Sequence, residues 1–312
     1  MAETGSKSRA TALTVGNFDG AHLGHVALVQ AARSAVGPAP GGRVAVLSFD
    51  PHPISVLRPD ETPARLSRWD QRAQWLKEAG ADHVEAIVPT RDFLSQSPRE
   101  FIAKIVEAHQ PAVIVEGPDF RFGARRAGSV ATLVELEREF GYRTVVIEQA
   151  CAVLTDQTIV AASSTMIRWL LARGRVHDAQ RLLGRPYELR APVVRGDQRG
   201  RTLGFPTANL DHGDQLLPAD GIYAGEGEMP DGRIFPAAIS VGVKPTFHGR
   251  QRVCEAYLIG YDGDAGVGEY GWTLSLRFHR WLRDQLMYTE VRLLIEQLHR
   301  DVREAATWSA NA

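Results

Sequence analysis

Two imidazoles three residues apart in a glycine-rich stretch are the first feature with chemical content. Residues 16–25 read GNFDGAHLGH, in which His22, Gly24 and His25 form an HxGH pattern. From the chain's own His and Gly frequencies, that pattern arises by chance only ~0.03 times per chain. It follows a short apolar run, residues 11–15, and opens a helical pattern through Leu28 and Ala32. Free N–H groups and the macrodipole at a helix start favour anions. Glycines such as Gly16 and Gly24 let a phosphate chain approach the backbone. Histidines at i and i+3 fall on one side of that start. The arrangement suits a nucleoside triphosphate and charge developing on phosphorus.

Other segments carry weaker signals. In SSTMIR, residues 163–168, Ser164 and Thr165 could offer hydroxyls and N–H groups to phosphate, and Arg168 could neutralise charge. Taken alone, these serines read first as an ordinary N-cap. Residues 196–209, GDQRGRTLGFPTAN, contain a glycine-basic loop with Gly200, Arg201, Thr202 and Gly204. Such a loop can wrap phosphates, and Thr207 and Asn209 supply neutral oxygens for Mg²⁺. Its plain alternative is a hairpin loop. Asp119, in EGPDFRFG, could fix a ribose or flavin edge or simply make a turn. Glu255 in VCEAY reads from pattern alone as a solvent-facing strand residue.

The elements that must position these groups change texture along the chain. Apolar strand runs at 11–15, 44–49, 84–88, 112–115 and 144–147 alternate with helical patterns. One helix opens with a capping box at Ser97, Pro98 and Glu100. Short, fully apolar strands between helices imply a buried, doubly wound parallel sheet with ligands at the carboxyl ends of its strands. Helices follow at 166–172 and up to about residue 183. Beyond 184–186, strand-like runs at 189–194, 221–225, 235–241, 253–259 and 272–278 suggest a small β-barrel or sandwich. An amphipathic helix at 290–305 ends the pattern, with Val291, Leu294, Ile295 and Leu298 on one face. An α/β domain at 1–185 and a β-barrel domain at 186–312 are expected.

Composition narrows the function class. With 312 residues, two domains are the default. A net charge of −1 gives no field for coating nucleic acid or binding an acidic membrane surface. The two cysteines, Cys151 and Cys254, form no CxxC pair, so neither a disulfide framework nor a structural zinc site is expected. No apolar run is long enough to span a bilayer, and residues 1–10 lack a secretory apolar core. A cytoplasmic location follows. There is no GxxxxGK[ST] loop and no GxSxG elbow. A GxGxxG at 266–271 precedes a strand pattern instead of a helix, so it lacks the dinucleotide-binding context.

Together the segments resemble HxGH nucleotidyltransferases in the version carried by prokaryotic bifunctional riboflavin kinase/FAD synthetases. The matches are GNFDGAHLGH, SFDPHP at 48–53, the GxDFRFG loop at 117–123 followed by Arg125, Arg126 and Gly128, and SSTxIR at 163–168. In the second half they are PTAN at 206–209, GIYA at 221–224, KPTF at 244–247, VCEAY, and YG at 270–271. LRDQLMY at 282–288 stands where LRxExKF is usual, and keeps Arg283. The resemblance runs from about residue 13 to 302.

It implies that the barrel passes the ATP γ-phosphoryl to riboflavin, giving FMN, and that the α/β domain passes AMP from a second ATP to FMN, giving FAD and pyrophosphate. His22, His25 and Glu255 would then be catalytic. Phosphates would contact Gly16, Phe18, Gly24, Ser164, Thr165, Arg168, Gly200, Arg201, Thr202 and Gly204. Asp119 and Arg283 would contact flavin, and Thr207 and Asn209 would hold Mg²⁺. Riboflavin, FMN and ATP would be the partners, with no nucleic acid and no membrane. Two rival readings are a riboflavin kinase whose first domain no longer adenylylates, and a catalytically silent flavin-binding regulator.

Overall fold

The computed structural model describes residues 10–38, 41–246, 249–263 and 269–309. The first half runs β1 (Ala10–Gly16), α1 (Leu23–Val36), β2 (Gly42–Phe49), α2 (Ile54–Leu57), α3 (Trp69–Glu78), β3 (His83–Ile87) and α4 (Arg91–Leu94). It continues with α5 (Pro98–His109), β4 (Val113–Glu116), β5 (Arg121–Phe122), β6 (Gly128–Ser129), α6 (Val130–Phe140) and β7 (Arg143–Val146). The second half has β8 (Cys151–Val153), β9 (Ile159–Ala161), α7 (Ser164–Leu171), α8 (Val176–Leu183), β10 (Tyr187–Val194), α9 (Arg199–Thr202) and β11 (Ala208–Leu210). Then come β12 (Gly221–Glu228), β13 (Ile234–Thr246), β14 (Gly249–Leu258), β15 (Thr273–Arg283) and α10 (Val291–Ser309).

The chain divides into two compact units. One comprises the residues up to Pro63 with Trp69–Cys151; the other comprises Ala64–Arg68 with everything from Ala152 onward.

In the first unit a parallel five-stranded sheet has the order β3-β2-β1-β4-β7. Its strands are apolar on both faces, so both faces must be covered. Ala12, Val44 and Val46 pack with Val29 and Ala32 of α1 and Leu76 of α3. The alternate residues Leu13, Leu47 and Ile114 pack with Phe101, Ile102 and Ile105 of α5 and Leu133 of α6. The sheet is therefore doubly wound, as the strand pattern implies. The capping box forms: the Glu100 N–H donates to Ser97 Oγ (3.3 Å), and the Ser97 N–H to Glu100 Oε2 (2.8 Å). Strand order reverses between β1 and β4, which opens the ligand crevice at their carboxyl ends.

In the second unit a closed antiparallel barrel runs β10-β11-β14-β13-β12-β15. Period-two alternation fills it with Leu189, Ala191, Tyr223, Ile239, Leu276 and Phe278, all buried. Helix α8 packs on β10 and β15, and α10 on β12 and β13. Helical texture thus continues to residue 183, while α8 packs on the barrel and α7 on α8.

The short segment Ala64–Arg68 is stitched to the barrel. The Leu216 N–H donates to Arg65 O (2.8 Å), and buried Gln215 Nε2 donates to Glu188 O (2.8 Å) and Leu66 O (3.3 Å). Among the described residues, no helix is long and apolar enough to cross a membrane. Residues 266–268 of the GxGxxG segment and Phe247 of KPTF lie outside the described residues.

Candidate active sites

In the first unit, β1 ends at Gly16 and the chain turns sharply into α1. Phe18 (φ 48°), Gly20 (φ 81°) and Ala21 (φ 39°) all take left-handed backbone, closed by the Ala21 N–H donating to Phe18 O (2.9 Å). His22 is the N-cap of α1, and its Nδ1 accepts from the Gly24 N–H (3.2 Å). With Nδ1 accepting, the neutral ring carries its proton on Nε2, the donor a phosphate oxygen needs. The His22 and His25 rings stack with centroids 3.6 Å apart and planes 23° from parallel. Phe18 lies against His25 at 5.0 Å. Gly16, Phe18, His22, Gly24 and His25 are thus gathered into one turn at the carboxyl end of β1, as the sequence implies.

Two buried charged residues escaped the sequence reading. Arg72 of α3 is 3% exposed and reaches the loop after β1 and the carboxyl end of β2. Its Nη1 donates to Asn17 O (3.1 Å), Ser48 Oγ (3.2 Å) and Phe49 O (3.0 Å). Glu116 ends β4 in the crevice and is 2% exposed. The β1–β4 ladder stops at Leu13–Ile114, and the Val15 N–H donates instead to Glu116 Oε1 (2.7 Å). Burial holds this carboxyl well above the usual carboxylate range, despite the Val15 N–H that favours its ionised form.

Asp119, just past β4, is exposed and accepts from Gln149 Nε2 (3.5 Å). The loop beyond it stacks Phe120 on Phe122 at 5.3 Å. Arg125 and Arg126 both adopt positive φ (53° and 59°), strain of the kind that concentrates at functional loops.

Ser164, Thr165 and Arg168 fall in the second unit, at α7. Ser163 caps that helix by accepting from the Met166 N–H (3.2 Å), and Arg168 Nε donates to Ala64 O (2.8 Å).

The barrel's cavity is built from register. Asn209 of β11, Glu255 of β14 and Ser240 of β13 are cross-strand neighbours, so they share one face. Gly200, Phe205, Thr207, Ser240, Glu255, Tyr257, Arg283 and Gln285 line a cavity of about 200 Å³ that is open to solvent, with Ile222, Ile239, Leu294 and Leu298 as apolar walls. The Arg283 guanidinium forks onto Asp301 of α10 (2.9 and 2.6 Å), and that bonding raises its already high pKa. Gln297 Nε2 also donates to Asp301 (2.9 Å). Ser240 and Asp301 were not singled out by the sequence, because register and helix docking are needed to find them.

The glycine-basic loop folds close to PTAN. A Cβ on Gly200 would lie 2.3 Å from Phe205 O, and one on Gly196 2.3 Å from the Asn209 amide carbon. Only glycine allows that approach. Arg201 on the same loop pairs with Glu269 (3.2 Å), Gln198 Nε2 donates to Tyr270 Oη (3.0 Å), and Thr202 and Gly204 are exposed. Among the described residues, no cluster of three His, Cys, Asp or Glu side chains could hold a metal alone.

A parallel sheet with paired imidazoles at a helix mouth, followed by a barrel with a carboxylate in its cavity, defines a two-part enzyme of phosphate chemistry. The family model for FAD synthetase matches residues 4–163, and that for riboflavin kinase matches residues 183–309. The chain belongs to the bifunctional riboflavin kinase/FMN adenylyltransferase family. It is 33% identical to the Escherichia coli K12 protein of that name, over 93% of this chain and 90% of the relative. It is 30% identical to the Bacillus subtilis protein of that name, over 96% and 92%. The crystal structure of a macrolide-efflux protein from Streptococcus pneumoniae shares the fold, with a TM-score of 0.83 and 29% identity over 98% of this chain and 96% of that one.

Proposed function

We propose that the protein makes FAD from riboflavin in two transfers, dividing the chain functionally into 1–185 and 186–312. The barrel transfers the ATP γ-phosphoryl to the 5′-hydroxyl of riboflavin, giving FMN and ADP. The α/β part transfers AMP from a second ATP to FMN, giving FAD and pyrophosphate. The carrying observation is that two family models, one for each activity, match in the order of the two candidate sites.

In the kinase step, Glu255 accepts the hydroxyl proton as the oxygen attacks phosphorus. The apolar walls of the cavity suit a flat ring system, with Arg283 at its edge. Gly200, Arg201, Thr202 and Gly204 hold phosphate oxygens. Thr207 and Asn209, brought close to the loop by Gly196 and Gly200, would hold Mg²⁺ through their hard, neutral oxygen donors. When bound, Mg²⁺ neutralises charge on the phosphates.

In the adenylylation step no protein base is required, because FMN phosphate is already an anionic nucleophile at pH 7. Gly16, Phe18 and Gly24 shape the turn. His22 and His25 donate to the phosphates and to the departing pyrophosphate. Asp119 holds the flavin side, and Ser164, Thr165 and Arg168 bind phosphate at the start of α7. We place the protein in the cytoplasm, a reducing compartment consistent with its two free cysteines.

Incubation with riboflavin, ATP and Mg²⁺, with FMN and FAD resolved, tests this reading. Both products are expected. FMN without FAD supports a kinase alone, and neither product supports a flavin-binding regulator.

A further inference from the structure

We propose that Arg72 is a positioning residue for adenylyl transfer, fastening the turn that carries His22 and His25 to the carboxyl end of β2. The inference rests on the adenylyl-transfer reading of the first unit and adds a residue to it. Arg72 touches no expected reacting atom. It sits on α3, and its guanidinium spans the carboxyl ends of two adjacent strands.

Its Nη1 donates to the Asn17 and Phe49 carbonyls and to Ser48 Oγ. The Ser48 hydroxyl in turn donates to the same Asn17 carbonyl (3.0 Å). Its Nη2 lies 3.7 Å from Asp19 Oδ1 and 3.8 Å from Asp50 Oδ1. Asp19 is itself buried, at 5% exposure. The side chain therefore supplies both shape and charge at one place.

The turn has reason to need such a fastening. Three of its residues, Phe18, Gly20 and Ala21, hold left-handed backbone, two of them with side chains that disfavour it. Strain of this kind persists only where the surroundings over-determine the conformation. Asn17 precedes the strained run and Asp19 lies within it, so Arg72 grips the run at both places. His22 follows directly, and its ring position depends on that backbone. Small displacements of catalytic groups are costly, about 10²-fold in rate for roughly 1 Å. The guanidinium also offsets two carboxylates that would otherwise repel an incoming nucleotide.

Shape and charge separate by substitution. Arg72→Lys keeps the charge but cannot reproduce the planar fork. Arg72→Gln keeps hydrogen bonding but removes the charge. Each full-length variant is assayed for FAD formation from FMN and, in the same protein, for riboflavin phosphorylation, which reports correct folding independently. For Arg72→Lys, kcat of adenylylation is expected to fall about 10–100-fold, with KM for ATP within about threefold of wild type. For Arg72→Gln, KM for ATP is expected to rise as well, by about tenfold. Riboflavin phosphorylation stays within about twofold in both, the ordinary scatter for a site the change does not reach.

An Arg72→Lys enzyme with wild-type kcat for adenylylation overturns the proposal. So does a loss that vanishes on normalising to the folded fraction, or one that lowers both activities in proportion. A wild-type protein that makes no FAD from FMN refutes the adenylyl-transfer reading instead.

Discussion

The turn after β1 and the glycine-basic loop before β11 are both expected to bind phosphates, yet they are held in opposite ways. The first is fixed from within: Arg72 and His22 are 3% and 6% exposed, and the backbone strain is locked by buried donors. The second is held from outside. Arg201 and Glu269 pair with side chains 61% and 56% exposed, and Gln198 reaches Tyr270 across solvent. Exposed pairs contribute little and are screened by salt, whereas buried networks are not. The proposed adenylyl-transfer site is therefore held by buried contacts, while the proposed kinase loop is held by exposed ones.

That contrast can be broken at four places. The largest effect is expected at Glu255→Gln, which keeps size but removes the proton acceptor. Single-turnover phosphorylation of riboflavin should fall by about 10²–10⁴, with adenylylation of supplied FMN unchanged. A steady-state assay should show a smaller loss if loop closure limits turnover. A single-turnover rate within about threefold of wild type would make Glu255 an ordinary strand residue. Next, His22→Ala should lower FAD formation from FMN by about 10²–10³ and leave phosphorylation intact. Wild-type FAD yield in this variant would remove His22 from the site.

A smaller effect is expected at Glu116. Its carboxyl has a folded pKa raised by burial, so the stability it contributes is fully present below the unfolded pKa and is lost as pH rises through the folded one. Glu116→Gln has no proton to lose. Its unfolding free energy, measured by urea titration, should match wild type near pH 4.5 and exceed it increasingly toward alkaline pH, by about 1.4 kcal/mol for each unit of displacement covered. Parallel pH profiles for the two proteins would contradict this.

The smallest effect is expected at Glu269→Gln, which releases Arg201. KM for ATP in phosphorylation should drop by a factor of up to about five, and the difference should vanish at high salt. An effect that survives high salt would mean that the pair is not a surface contact.

Local chemistry was readable in the sequence, and chemistry created by distant packing was not. HxGH, the Ser97–Glu100 capping box and PTAN are contiguous, and their geometry follows from a helix start or a strand end. No local motif marks Arg72, because its acceptors lie up to 55 residues away. Glu116 follows the apolar run at 112–115, and only the early stop of the β1–β4 ladder gives its carboxyl a backbone donor. Ser240 needs the β13–β14 register, and Asp301 needs α10 docked beside Arg283. Ala64–Arg68 carries no apolar pattern, so its stitching to Gln215 has no signature in the chain.

The central claim is that two separate sites carry out the two transfers, so that each can be silenced alone. Mixing full-length His22→Ala and Glu255→Gln proteins with riboflavin, ATP and Mg²⁺ tests it most directly. Neither variant alone should make appreciable FAD from riboflavin. The equimolar mixture should make it, because the first supplies FMN and the second adenylylates it. A mixture that yields no FAD, or a single substitution that removes both activities, would contradict the account.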